Sequence, residues 1–395
     1  SDGHSITFAF DVEEADVYKV DLKAFQAPSY GSYDVLIDGE KITNVDFYGT
    51  SSTPRDFVTL TEMELMEGTH EISFENTGRH EDDTNFKMGV IQLALLNEQA
   101  QEERDEDSEA DEIDPTQLYL NFLPKYGHHH YDPLNLSLFA EGQELLPDIG
   151  YTHTKYRRLI NSTMGHNTVV VDSQDAESSG QAAHSGNIEV FAPVDNGVQV
   201  LRASQESSYA QTDEYSREPW LIQFPDATDN EGYVLDLFRV SGGERHEYTL
   251  NGAANHDASF ETDIEFSEYG PYLLPEGVEV REPETETDYG DAEGHYYGYI
   301  NVRDVEKATV NDGHYDLTLT TQDDDGQGLA NMKITGLVEA GENELFVGES
   351  PSVRATRLHG TARDTNDYAD QYTLPKMVLR REGDNLTSNF VTAIE

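Results

Sequence analysis

The sequence predicts an all-β protein: an N-terminal jelly-roll or β-sandwich module followed by a large two-sheet antiparallel β-sandwich. Three observations lead there. Short stretches rich in β-branched and aromatic residues alternate apolar and polar positions with a period of two. Turn-forming clusters punctuate them at regular intervals. Helical periodicity is weak along all 395 residues.

In order along the chain, residues 5–10, 18–24, 33–37, 57–63, 70–74 and 90–96 read as strands. Ala27-Pro28-Ser29, Asp38-Gly39-Glu40, Tyr48-Gly49-Thr50 and Glu67-Gly68-Thr69 separate them as turns. Many short strands at even spacing are the mark of a sandwich or jelly roll. The first domain is therefore expected over residues 1–98. The run EERDEDSEADEID from Glu102 to Asp114 is nearly all acidic, repels itself and reads as a linker within 99–116. Longer strand patterns then resume, at 168–171, 198–203, 233–240, 315–321, 332–338 and 376–381, so 117–395 reads as one large sandwich.

Charge is the outlier in composition. There are 78 acidic against 25 basic residues, the latter 9 Lys and 16 Arg, for a net charge of −53. Such an excess destabilises a compact state by self-repulsion. The alternating Val, Ile, Tyr and Phe argue against disorder, so the composition points to a folded protein in high salt, where a Debye length of about 3 Å at 1 M screens the repulsion. With no basic stripe to displace counterions, nucleic acid is not an expected partner. No apolar run approaches the 18 or more residues of a membrane span, and Ser1 to Ser5 show no leader pattern. The absence of Cys excludes disulfides, thiolate metal sites and a Cys nucleophile.

Chemistry concentrates between Tyr126 and Asp172. After Gly127, His128-His129-His130-Tyr131-Asp132 runs into Leu134, Leu136, Leu138 and Ala140 with strict alternation. The pattern reads as a strand, or a loop entering one. On a strand His128 and His130 share a face, and His129 points away. Two imidazoles and a later carboxylate suit a divalent ion such as Zn²⁺; three consecutive His residues are also what a plain surface cluster looks like. Asp148 then closes an apolar strand beside a Gly-containing turn, and His166 directly precedes the apolar strand Val169-Val170-Val171. Antiparallel pairing can bring such strand mouths together.

These pieces, in this order, resemble the heparinase II/III-like polysaccharide lyases. A GHxHxD-type segment is followed by L-S-L-x-A-x-G-x-x-L-L-x-D-x-G-Y at Leu136–Tyr151 and by S-T-x-x-H-N-T-V-x-V-D at Ser162–Asp172. Tyr233–Gly243 with His246, and Arg380–Gly383 leading into Phe390-Val391, are similar to later strands of that family. The similarity covers roughly residues 117–395. The resemblance implies that His130, Asp148 and His166 bind a structural, zinc-like divalent ion, and that His128 faces the substrate and takes part in catalysis. Arg157 and Arg158 lie near the same strand mouths, where they can meet a substrate carboxylate or serve as ordinary surface partners among many acids.

The reaction implied is β-elimination on a uronic-acid-containing glycan. The proton α to the carboxylate is removed, the charge that develops there must be neutralised, and a His near neutrality can carry the proton. Family members place an α/α toroid ahead of the sandwich to supply further catalytic groups, whereas residues 1–97 read as β. The chain, which ends in strand-like Thr392-Ala393-Ile394-Glu395, is therefore expected to be part of a longer polypeptide and to partner its own toroid and an acidic polysaccharide, outside the cell or on its surface. Two further readings stand: a non-catalytic glycan-binding or surface-structural protein that keeps the metal, and a uronate C5-epimerase. Tyr30, Tyr33, Phe47 and Tyr48 near turns of the first domain can stack on sugars or fill its core. Asp323-Asp324-Asp325-Gly326 lacks the Glu of an EF-hand and reads as a solvated turn.

Overall fold

The computed structural model describes the chain except residues 1–4, 28–29, 50–52, 80–86, 99, 102–115, 123–129, 177–185, 194–196, 225–231, 289–295, 312 and 324. The expected acidic linker falls almost wholly outside the described residues, as does His128. Two compact units result, Ser1–Glu112 and Ile113–Glu395.

The first unit is β throughout its described sheets. One sheet orders Ser5–Val12, Gly68–Arg79, Gly31–Ile37 and Glu40–Asp46, all antiparallel. The other centres on Asp16–Gln26, flanked by Val58–Leu65 and Val90–Leu96. In Gly31–Ile37 the apolar residues Tyr33, Val35 and Ile37 are buried while their neighbours are half-exposed, as a period-two strand requires. Tyr33 and Phe47 are core residues in edge-to-face contact, with ring centroids 5.8 Å apart. Of the aromatics considered for sugar stacking, these two are unavailable to a ligand.

The second unit is a large antiparallel sandwich. Among the described residues, its wider sheet runs Asn187–Ala192, Val198–Ser204, Glu214–Gln223, Gly232–Ser241, Thr387–Ile394, Gly328–Leu337, His314–Gln322 and Asp257–Glu261. The facing sheet runs Val169–Val171, Arg245–Asn251, Thr373–Glu382, Asn343–Pro351, Arg303–Thr309 and Ser267–Tyr272. A three-stranded sheet of Gln143–Leu146, Leu136–Ala140 and Gln117–Leu120 packs into the same core. That core draws Val234, Phe238 and Phe390 from one sheet and Tyr248, Leu250 and Leu379 from the other. Burying each such side chain stabilises the fold by about 1.5–3 kcal/mol.

Polar residues on inward-facing positions are the exception to this pattern. Gly232–Ser241 buries Val234, Asp236, Phe238 and Val240 in phase, which places a carboxylate in the core. The Asp323 turn is a local cap: its carboxylate accepts the N–H groups of Asp325 at 3.0 Å and Gln327 at 2.7 Å. No helix of the described residues is long and apolar enough to cross a membrane.

Candidate metal centre

The centre is assembled where three segments of the second unit end. The first is His130–Asn135. The alternation after Gly127 reads as a strand or a loop entering one, and the described residues show the second, with the strand beginning at Leu136. Pro133 has no N–H to give to a ladder, which interrupts strand pairing there. The remaining N–H groups turn to other segments instead: Tyr131 to the Asn161 carbonyl at 2.8 Å, Leu134 to that of Asn121 at 2.8 Å, and Asn135 back to Asp132 at 3.1 Å. The shared-face relation proposed for His128 and His130 involves His128, which lies outside the described residues.

The second segment is delivered by a tight hairpin. Glu141 and Gly142 have φ of 54° and 67°, so both occupy the left-handed region that a two-residue turn between antiparallel strands demands. The chain therefore doubles back from Leu136–Ala140 into Gln143–Leu146 and presents Asp148 beside His130. The Asp148 Oδ1 accepts the Gly150 N–H at 2.8 Å, which orients the carboxylate. Arg357 Nη1 holds the Asp148 carbonyl at 2.5 Å.

The third segment is a short helix, Arg157–Asn161, followed by a 3₁₀ turn, Thr163–Gly165, that ends on His166. Gly165 is required there, because a Cβ would sit 2.4 Å from the Leu159 carbonyl oxygen. His166 is fully buried. Its Nδ1 lies 2.8 Å from the Ser162 carbonyl oxygen, which can only accept, so Nδ1 carries the proton. The Nε2 lone pair is thereby left facing the cluster.

Four side chains converge: His130, Asp132, Asp148 and His166 offer ligand atoms that all lie within 4.8 Å of one another. His130 Nδ1 is 3.2 Å from His166 Nε2, and Asp148 Oδ2 is 3.9 Å from the same nitrogen. Tetrahedral Zn²⁺ with bonds of about 2.0–2.1 Å would put its ligand atoms about 3.3 Å apart, close to the observed N–N spacing. Burial holds the His130 imidazole below its usual range, with His166 adding to the effect while Asp148 and Asp132 oppose it. A neutral imidazole is the form that ligates. Two neutral imidazoles and two carboxylates carry a net charge that a dication would cancel, so the donor set fits a divalent ion.

Outer contacts fix this set. Asn121 Nδ2 donates to Asp132 Oδ2 at 2.6 Å. The Asn167 N–H donates to Asn135 Oδ1 at 2.8 Å, and its side-chain Nδ2 donates to the carbonyls of Leu136 and Pro147 at 2.9 and 3.0 Å. Asn251 joins Asn167 to the Gly165 carbonyl. The Asp175 carboxylate accepts the Thr163 N–H at 2.8 Å, and burial pushes it up to about 7.

The structure brings His130, Asp148 and His166 together, adds Asp132, and places both arginines nearby. The Arg157 guanidinium stacks 3.7 Å above the Tyr151 ring, and its charge reaches His130. Arg158 is half-buried, and burial holds its pKa below the usual range, with Tyr297 and Tyr131 opposing the effect. Sequence reasoning missed Asp132, although it stands two residues from His130, because nothing local shows that its carboxylate meets Asp148 and His166 from other segments. It also missed the amide network, whose only trace is Asn135, Asn167 and Asn251 at otherwise apolar strand ends.

Residues 116–286 match the family model described as heparinase II/III-like, C-terminal. A search of curated proteins gives no match. Among solved structures, the chain is similar to heparan sulfate lyase HepC from Pedobacter heparinus, at 16% identity over 71% of this chain and 32% of that one, TM-score 0.40. Heparinase III is similar at 12% identity over 71% and 33%, TM-score 0.40. A family 35 carbohydrate-binding module from an environmental isolate covers 25% of this chain and 69% of its own, at 17% identity and TM-score 0.20. The chain spans about a third of the length of the two lyases. All four donors lie within residues 116–286, the segment that is similar to the heparinase II/III-like C-terminal domain.

Proposed function

We propose that the chain is the metal-binding sandwich of a polysaccharide lyase that cleaves a uronic-acid-containing glycan by β-elimination. The observation that carries this reading is the convergence of His130, Asp132, Asp148 and His166 inside the family-matched segment. A bound Zn²⁺ would supply fixed positive charge that ties the three segment ends together, a structural role.

This chain's own residues supply part of the chemistry. His128, two positions before His130, is the proton carrier. In the elimination the C5 proton leaves, the C4–O bond breaks, a C4=C5 double bond forms and the departing oxygen takes a proton. Arg157, held against Tyr151 at the mouth of the centre, meets the uronate carboxylate and neutralises the charge that grows on it. Arg158 is a second cation for the same face. The remaining catalytic groups come from an α/α toroid elsewhere in the polypeptide. Residues 1–98 form a separate module, 99–116 a linker and 117–395 the lyase sandwich. The site of action is extracellular or at the cell surface in high salt, which the net charge of −53 favours.

The test is formation of ultraviolet-absorbing unsaturated uronate from alginate, ulvan or a glycosaminoglycan by the complete polypeptide, abolished in His128→Ala. C5 inversion without cleavage would identify an epimerase instead, and glycan binding with no product would identify a non-catalytic protein.

A further inference from the structure

A buried ion pair lies in the middle of the larger sandwich, and one arm of it reaches the metal centre. Arg217 on Glu214–Gln223 and Asp236 on the adjacent Gly232–Ser241 both have side chains at 0% exposure. Arg217 Nε donates to Asp236 Oδ1 at 2.8 Å and Nη2 to Oδ2 at 2.7 Å. From the opposite sheet the Tyr248 hydroxyl donates to the same Oδ2 at 2.7 Å. The third nitrogen, Nη1, is spent elsewhere. It donates to the Leu134 carbonyl at 2.8 Å and to the Asn167 carbonyl at 2.5 Å.

Those two carbonyls belong to the ligand-bearing segments. Leu134 stands two residues after Asp132, and Asn167 immediately follows His166. Leu134 also has φ of 55°, a left-handed backbone that a leucine adopts only when its surroundings hold it there. Stability alone does not explain a charged pair in this position, since well-packed apolar residues often replace such a pair without loss. Apolar residues cannot supply a donor that spans two carbonyls.

We propose that Arg217 is a positioning residue for the metal centre, clamping the His130–Leu134 segment against the His166 strand mouth so that the two imidazole nitrogens keep their 3.2 Å spacing. Asp236 and Tyr248 aim the guanidinium. The assignment rests on the reading of the four-donor cluster as a metal site.

Arg217→Lys keeps the charge opposite Asp236, but an ammonium cannot both fork that carboxylate and bridge the two carbonyls. Its Zn²⁺ affinity, measured by competition with a chromophoric chelator, should fall about 10- to 100-fold, and the visible spectrum of the Co²⁺-loaded protein should change. The triple variant Arg217→Met, Asp236→Leu, Tyr248→Phe removes the pair with its donors and should show the same loss with the fold retained, as read by Trp220 fluorescence. Wild-type Zn²⁺ affinity in either folded variant overturns the proposal. Hydrogen exchange on the metal-free wild type gives an independent reading: the amides of Leu134, Asn135, Leu136 and Asn167 should stay protected, and free exchange there would overturn the clamp even if both variants fail to fold. If the wild type binds no Zn²⁺ at all, the metal reading falls, while free exchange at these amides would still overturn the clamp by itself.

Discussion

Asp236→Asn should be among the most damaging isosteric changes available in the larger unit. The substitution keeps the shape of the side chain and removes only its charge. Arg217 is then left with no counter-charge at 0% exposure, and the carboxamide directs a donor NH₂ toward guanidinium donors now 2.7–2.8 Å away. The Tyr248 hydroxyl loses its charged acceptor as well. Breaking a buried pair by disabling one partner costs about 3–5 kcal/mol, a large share of the roughly 5–15 kcal/mol that a folded protein commands. At about 2–4 °C per kcal/mol for a unit of this size class, the midpoint should drop by about 6–20 °C. The chain's single tryptophan, Trp220, sits on the same strand as Arg217, so its fluorescence in denaturant reports the larger unit alone. A loss under about 1 kcal/mol with an unchanged m value would refute the view of a dry, charged pair.

The other expectations are simpler to check. Zn²⁺ at 100 times its dissociation constant should stabilise the larger unit by about 2.7 kcal/mol, and His166→Ala should abolish that gain in a thermal-shift titration. The His70 ring faces two acceptors, the Asp38 carboxylate at 2.6 Å and the Met66 carbonyl at 2.7 Å, and the bond to Asp38 raises its pKa first of all. A raised folded-state value means that its contribution is complete below the unfolded pKa of about 6.5 and fades as pH climbs through the folded one. Thermal unfolding of the first unit should therefore weaken from pH 6 to pH 8.5, and His70→Gln should flatten that trend. Elimination activity of the complete protein should rise with salt as screening relieves repulsion between a −53 chain and an anionic glycan. Activity highest in dilute buffer would contradict both the substrate class and the salt adaptation.

Local chemistry made much of this protein legible. Period-two alternation identifies strands such as Gly31–Ile37 because a strand half-buried on one face has no other way to sort its side chains. Turns such as Asp38-Gly39 follow from the few residues that tolerate a left-handed backbone. His130, Asp148 and His166 stood out by residue type and by their place at strand mouths, and the fold brings them together.

What the sequence could not determine depends on atoms far apart in the chain. Asp132 joins the donor cluster in a segment whose Tyr131 and Leu134 N–H groups donate to the carbonyls of Asn161 and Asn121, distant in sequence, instead of to a ladder partner. Tyr33 and Phe47 look like sugar platforms from their position near turns, yet the packing of two sheets buries both. Arg217 and Asp236 are visible only as charges on inward strand positions. Tertiary structure decided that they meet, because a guanidinium can lie in a dry core only where a carboxylate and two spare carbonyls from other segments converge on it.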